Sequence, residues 1–143
     1  MSRVRTLAWV GLIAYAAFLA LVLLSPSSQT QSDGAGHLAS LAQGLGVSPA
    51  RATQSRAEFV ANAMLLMPLA ALGSMVWPAS TWRDWTAWSF VIASGVELFQ
   101  GLFLPGRDAT MIDIVANTLG GLLGALVVAM VRWLWGLDKL DHR

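Results

Sequence analysis

The stretch GVELFQGLFLPGRDATMIDIVANTLGG, residues 95–121, decides the fold. Its two ends are apolar, and the proline and glycine at 105 and 106 predict a turn between two helices. Polar side chains lie on both sides of this turn and within it, at Glu97, Gln100, Arg107, Asp108, Asp113 and Asn117. The stretch therefore predicts a helical hairpin that is apolar enough for a bilayer and carries its polar groups near the turn.

The composition of the whole chain is that of a membrane protein. The 143 residues are 56% hydrophobic and 12% charged, whereas an average soluble domain is roughly 25% charged. Four runs have the length of about 20 residues that a spanning helix needs, at residues 7–24, 59–77, 85–104 and 114–135. We predict one all-α integral membrane domain over residues 1–143, with four transmembrane helices and an outer loop at 25–56.

Two signals predict that both termini are cytoplasmic. Lys and Arg prefer cytoplasmic flanks, and this orientation places six basic residues inside and three outside. The tryptophans form an interfacial belt at the inner ends of the runs, at positions 9, 77, 82, 85, 88, 133 and 135. A cleaved signal peptide is the alternative for the first run, because Arg3 and Arg5 precede it, although its 18 apolar residues exceed the usual 7 to 15.

The outer loop contains an apolar pattern of its own. His37, Leu38, Leu41 and Leu45 have helical spacing. This spacing predicts a short helix on the outer membrane surface.

Three pairs of polar residues lie in the predicted outer half of the membrane. They are Glu58 with Asn62, Glu97 with Gln100, and Asp113 with Asn117. Each pair is spaced i,i+3 or i,i+4 and so occupies one face of its helix. An unpaired carboxylate at the depth of Glu97 costs roughly 2.5 to 3.5 kcal/mol. We therefore expect Glu97 to face the bundle interior, with Arg56 or Arg107 as its partner.

Structural roles compete with functional ones at several of these positions. Capping boxes are predicted at Ser55–Glu58, Thr81–Asp84 and Thr110–Asp113, where a hydroxyl and a carboxylate satisfy free amides at a helix start. Gly120, Gly121 and Gly124 form a small face, which predicts close approach to a neighbouring helix at Gly95 or Ala93.

The inventory of reactive residues excludes several classes of site. Cysteine is absent, and the sequence has no His-Glu-x-x-His zinc motif and no Gly-x-Ser-x-Gly elbow. We therefore predict no metal, no cofactor and no nucleic-acid partner. The remaining outer cluster of carboxylates and arginines could act as acid and base, hold a divalent cation, or bind an anion. Arg107 is its most ligand-like member, since it lies on a turn with a fork suited to oxyanions.

The ordered combination of these motifs resembles the VanZ-like family over about residues 55–125. The motifs are Arg56-x-Glu58-Phe59-x-x-Asn62, Met67-Pro68-Leu69, Glu97-Leu98-Phe99-Gln100, Gly106-Arg107 and Asp113-x-x-x-Asn117-Thr118-Leu119-Gly120-Gly121. Thr110 is a departure, because many members carry an acidic residue there. The resemblance implies a small multi-pass protein of the bacterial cytoplasmic membrane. The founding member of the family is associated with low-level resistance to the glycopeptide teicoplanin.

Our leading functional hypothesis is a non-enzymatic cell-envelope protein that binds an anionic amphiphile or lipid headgroup at the outer leaflet. A glycopeptide or a lipid-linked wall precursor is the further partner that the resemblance implies. The predicted ligand-binding residues are Arg56, Glu58, Asn62, Glu97, Gln100, Arg107, Asp113 and Asn117. Two alternatives stay open: an enzyme that modifies a lipid or wall precursor with Glu97 and Asp113, and a proton-coupled transporter or flippase.

Overall fold

The residues that the structure describes form five helices. The computed structural model describes residues 3–24, 29–104 and 110–135. The helices are α1 (Arg3–Leu23), α2 (Gln29–Gly44), α3 (Gln54–Val76), α4 (Trp82–Phe103) and α5 (Met111–Leu134). These described ranges contain no β-strand. The all-α prediction is therefore confirmed for this part of the chain.

Three of the helices, α1, α3 and α5, are long and apolar enough to cross a membrane. The remaining predicted span, residues 85–104, coincides with α4, which has 22 residues. This helix is less apolar because indole rings occupy its first turns and Glu97 and Gln100 its last ones. Length and composition thus support three of the four predicted spans.

The centre of the bundle is a close contact between α3 and α5. A Cβ atom added to Gly120 would collide with the backbone carbonyl of Ala63, and one added to Gly124 would collide with that of Met67. The small face of α5 was predicted correctly. Gly121 lies against α4 as predicted, although at Ser89, whereas the predicted contact at Gly95 was wrong for Gly120 and Gly124. The space around Gly95 is open, and α5 approaches the backbone of α3 instead.

The first helix is part of the core. Leu19 and Leu23 of α1 are buried together with Leu66 of α3 and Ala93 of α4. The Tyr15 hydroxyl donates a hydrogen bond of 2.9 Å to the carbonyl oxygen of Leu65. Removal of α1 would therefore expose core side chains on two other helices.

The contacts also define the relative directions of the helices. α3 and α5 are parallel, since Ala63 lies against Gly120 and Met67 against Gly124. α4 is antiparallel to α5, since its Ser89 lies against Gly121 while its later residue Glu97 bonds Thr110. α1 is antiparallel to α3, since Gly11 lies beside Leu72 while the later residue Tyr15 bonds Leu65. The N-termini of α3 and α5 therefore lie with the C-termini of α1 and α4, at what we name the polar end.

The opposite end of the bundle is aromatic. The rings of Trp9 and Trp77 meet edge to face, with 4.8 Å between their centroids. Trp85 is tilted against Trp77 at 5.9 Å. These indoles come from α1, α4 and the end of α3, so the tryptophans predicted to share one interface do lie at one end.

The predicted loop helix is α2, and it ends in a well-defined turn. The amide of Gly46 donates to the carbonyl of Gln43, and the amide of Val47 donates to that of Ala42. These two bonds form a Schellman motif, which needs a residue with positive φ at Gly46, where φ is 91°. The turn directs the chain back toward α3, so α2 packs beside the start of α3.

Two of the three predicted helix caps are present. Thr81 and Asp84 form the reciprocal capping box at the start of α4. Thr110 caps α5 by accepting a hydrogen bond from the amide of Asp113. The prediction for Ser55–Glu58 was wrong, because α3 begins at Gln54, with Thr53 as its N-cap. Glu58 instead accepts a hydrogen bond from the side chain of Gln54.

Candidate functional site

The predicted polar residues that the structure describes fall into separate groups, and the first group joins α3 to α5. The Asn62 amide donates a hydrogen bond of 2.5 Å to one carboxylate oxygen of Asp113. The other oxygen of Asp113 accepts a bond of 2.8 Å from the hydroxyl of Thr110. Asp113 is therefore both a helix cap and an interhelical acceptor.

Glu97 extends this group to α4. Its carboxylate accepts a hydrogen bond of 2.9 Å from the backbone amide of Thr110, the N-cap residue of α5. In a capping box that amide is satisfied from the third residue of the same helix, here Asp113. Here Glu97 of α4 accepts the hydrogen bond in place of Asp113. It therefore fixes the start of α5 relative to α4. We name Asn62, Glu97, Thr110 and Asp113 the acid–amide network.

Gln100 connects α4 to α1. Its side-chain amide donates a hydrogen bond of 2.6 Å to the carbonyl of Leu23, in the last turn of α1. The last carbonyls of a helix have no partner within the helix, and leaving one buried without a donor is costly. Gln100 is only 4% exposed. It therefore satisfies the end of α1 inside the bundle.

Asn117 differs from Glu97 and Gln100 in its hydrogen bonding. It is 4% exposed, and its side-chain oxygen has no hydrogen-bond partner among the residues that the structure describes. It lies one turn after Asp113 on α5, so it faces the same side of the helix. An unsatisfied buried carbonyl costs about 1–3 kcal/mol. Asn117 thus has an unused acceptor in the interior.

Arg56 and Glu58 lie apart from this interior chemistry. Both lie in the first turns of α3, where Arg56 is exposed and Glu58 is half-buried. Arg56 donates a hydrogen bond of 3.2 Å to the backbone carbonyl of Arg51, five residues earlier. Arg107, the other predicted anchor, and Asp108 lie outside the described residues.

A cavity of about 420 Å³ opens between α2, the following turn and the start of α3. Its lining is almost wholly apolar, apart from Arg51 and Arg56. Neither the cavity nor the place of Arg51 in it was predicted from the sequence. The spacing of Leu38, Leu41 and Leu45 was its only signal, and all three line this cavity.

The described residues offer a limited range of chemistry. No group of three or more His, Asp or Glu side chains within them could hold a metal ion. The acid–amide network contains two carboxylates, and its oxygen atoms accept bonds from a threonine and an asparagine. This part of the molecule therefore connects helices, whereas the cavity combines an apolar wall with cationic groups.

Comparison with known proteins identifies the family. Neither a curated protein nor a solved structure matches the chain. A family model described as VanZ/LLP1 matches residues 12–132, a range that includes every predicted site residue. The resemblance noted from the sequence motifs is thus confirmed over most of the 143 residues. The chain belongs to the VanZ/LLP1 family.

Proposed function

We propose that this VanZ/LLP1 protein binds an anionic amphiphile or lipid headgroup at the outer leaflet of the bacterial cytoplasmic membrane. The observation that carries the proposal is the pairing of Arg51 and Arg56 with an apolar cavity. Guanidinium groups bind phosphate and carboxylate oxygens, and an apolar wall accepts hydrocarbon. A molecule with both parts matches this surface.

Both arginines are available for such a ligand. Arg56 uses one N–H on the carbonyl of Arg51 and has further donors in its planar fork. Among the residues that the structure describes, no carboxylate pairs with Arg51 or Arg56. The nearest acid along the chain, Glu58, is bonded to Gln54.

The proposed topology has four transmembrane helices with both termini in the cytoplasm. The antiparallel contact between α4 and α5 supports α4 as the fourth span, because it extends from Glu97 at the polar end to Ser89 beside Gly121. The tryptophans at the opposite end support an inner interface there. In this orientation the polar end and the cavity face outward.

In this proposal the buried polar residues hold the binding surface in place. The acid–amide network ties the starts of α3 and α5 to α4, and α3 carries Arg56. Arg107 is a second proposed anchor on the turn between α4 and α5. We propose that Glu97 and Asp113 orient the arginine anchors, and that the amides of Asn62, Gln100 and Asn117 complete the polar end.

Binding can be tested with protein in phosphatidylcholine nanodiscs. Dodecyl phosphate should bind, and dodecyl maltoside, which has the same chain and no charge, should bind at least about tenfold more weakly. The double variant Arg51→Gln/Arg56→Gln should lose this preference, because each charge-assisted hydrogen bond contributes about 1.5–3 kcal/mol. Arg83→Gln, at the other end of the bundle, is the matched control. Equal binding of both amphiphiles to the wild type would refute the proposal.

The proposal extends to low-level glycopeptide resistance. Teicoplanin is an amphiphile with an acyl chain, so a protein that binds such molecules at the outer leaflet would lower its effect. We expect a host that expresses the wild type to tolerate more teicoplanin than one that expresses the Arg51→Gln/Arg56→Gln variant. Membrane abundance must be measured in parallel. If the two hosts are equally susceptible to teicoplanin at equal membrane abundance of the protein, the resistance part of the proposal is wrong.

A further inference from the structure

The apolar cavity between α2 and α3 is not explained by the polar contacts that join the helix ends. Its walls are Leu38, Ala42 and Leu45 of the α2 side, Val47 of the turn, and Ala57 and Val60 of α3. Its volume of about 420 Å³ is within the 300–1,000 Å³ range typical of small-molecule sites. It is therefore large enough to hold part of a ligand.

We infer that this cavity holds one hydrocarbon chain of the anionic amphiphile, while Arg51 and Arg56 hold its headgroup. The inference rests on the proposed function and adds where the tail lies. The bound chain would leave the bilayer interior and lie between α2 and α3. The ligand class is then an anion with at least one linear alkyl or acyl chain.

Exposure of the walls is the first argument for an apolar occupant. Leu41 of α2 is 64% exposed, and Leu45 of the turn that follows α2 is 86% exposed, although α2 packs beside α3. Val60, on the facing wall, is 49% exposed. Large apolar groups gathered around one cavity gain free energy when hydrocarbon covers them.

The local backbone is the second argument, because it keeps the cavity open. The Schellman turn at Gly46 brings Val47 back toward Ala42, and both residues line the cavity. The hydrogen bond between Gln54 and the carbonyl of Ser32 ties α2 to the start of α3. The two walls are thus held by contacts outside the cavity and do not need to close on each other.

Charge decides between the possible occupants. Among the described residues, the charged side chains that line the cavity are Arg51 and Arg56, and both are cationic. A purely apolar partner, such as a segment of a second copy, would leave these guanidinium groups without anions. An amphiphile with a phosphate or carboxylate next to its chain satisfies the arginines and the apolar walls together.

Photocrosslinking tests the position of the tail directly. The probe is a twelve-carbon alkyl phosphate with a diazirine at the chain end, added to the full-length protein in phosphatidylcholine nanodiscs. Labelled peptides are identified by mass spectrometry. We expect labels on α2 and on residues 57–60 of α3 in excess of labels on the exposed apolar face of α5. Labels spread over α1 and α5 as strongly as over the cavity would overturn the inference.

Two variants on adjacent residues of α2 provide a control. Ala42→Trp fills the cavity, whereas Gln43→Trp places the same ring on the exposed side of the helix. Ala42→Trp should reduce cavity labelling at least about tenfold, the effect of displacing two or more methylenes. Gln43→Trp should leave it unchanged. Ala39→Trp is a second cavity-filling variant if Ala42→Trp lowers the yield of folded protein.

The outcomes separate this inference from the proposed function. If Ala42→Trp removes cavity labelling while phosphate is still preferred over maltoside, both ideas stand. If Arg51→Gln/Arg56→Gln leaves cavity labelling unchanged, the headgroup anchor fails and the tail site survives alone. If labelling in the cavity is the same in Ala42→Trp and Gln43→Trp, the tail site is wrong whatever the headgroup does.

Discussion

The amide of Asn62 bonds the carboxylate of Asp113 across the interface where Gly120 lies against the carbonyl of Ala63. The contact between α3 and α5 thus combines a polar bond with close backbone approach. In a bilayer the lipid chains are as apolar as leucine, so burial of apolar surface drives helix association weakly. Close packing and interhelical hydrogen bonds must then supply most of the specificity at this interface.

Asn62→Leu should destabilise the bundle. The substitution keeps the approximate size of the side chain and removes the donor to Asp113, which leaves a carboxylate oxygen without its partner. Interhelical hydrogen bonds in membranes average about 0.6 kcal/mol, and an unsatisfied buried acceptor costs about 1–3 kcal/mol. We expect a loss of about 1–2 kcal/mol in the free energy of unfolding. Titration with a denaturing detergent, followed by circular dichroism, measures this loss.

Asn117→Leu is the matched comparison. Its side-chain oxygen is buried and has no partner in the described part of the chain, so the substitution removes a polar atom that makes no bond there. We expect unchanged or higher stability, by up to about 1 kcal/mol. If Asn117→Leu costs as much as Asn62→Leu, then burial of an amide, and not the bond to Asp113, explains both results. A stable Asn117→Leu protein that loses amphiphile binding would assign its oxygen to the ligand.

The helices could be predicted from the sequence because their signals are local. Apolar runs, the turn chemistry at Thr81 and Asp84, and the spacing of apolar residues in α2 all act within a few residues. The partner of the glycine face could not be predicted this way. Gly120 and Gly124 meet the backbone of α3, and which helix lies opposite depends on packing of the whole bundle.

The site residues were identified by type, but their connections were not. Polar residues at membrane depth must find partners, and this rule correctly selected Glu97, Gln100 and Asp113 as bonded groups. It did not show that Glu97 would bond the amide of Thr110, or Gln100 the end of α1, because backbone groups carry no sequence signal. The cavity was missed for a related reason, since it exists only between two elements.

Gly120→Ala should destabilise the bundle strongly. The new methyl group would collide with the carbonyl of Ala63, a backbone group that can move only with α3. Overpacking of this kind costs about 1–3 kcal/mol or more. Gly95→Ala is the control, because nothing lies near its Cβ position and alanine favours a helix by about 1 kcal/mol over glycine. Chemical unfolding of the two variants should therefore give shifts of opposite sign; shifts of the same sign would contradict the close contact between α3 and α5.

Gln100→Leu should loosen the end of α1. The carbonyl of Leu23 would lose its donor, while the apolar contacts of Leu19 and Leu23 would stay. Hydrogen exchange should therefore rise in the last turn of α1 more than in its first turns, and global stability should fall by about 1–2 kcal/mol. Gln43→Leu on α2 is the control, with no change expected in α1. Uniform protection along α1 in Gln100→Leu would show that apolar packing alone holds this end.

The capping box of α4 predicts a dependence of stability on pH. The backbone amide and the hydroxyl of Thr81 donate to the carboxylate of Asp84, ahead of the apolar run that begins at Trp85. These bonds lower the pKa of Asp84 below its ordinary value of 3.8. A carboxyl group with a lowered pKa stabilises the fold at any pH above the unfolded pKa, and this contribution disappears as the pH falls through the folded pKa.

Asp84→Asn should therefore lower the melting temperature at neutral pH, and its difference from the wild type should shrink below about pH 4. Scanning calorimetry or circular dichroism in neutral detergent measures both curves. Asp33→Asn, an exposed carboxylate of α2, is the control for a general effect of lost charge. A difference between Asp84→Asn and the wild type that stays constant from neutral to acidic pH would mean that the ionised carboxylate does not stabilise the start of α4.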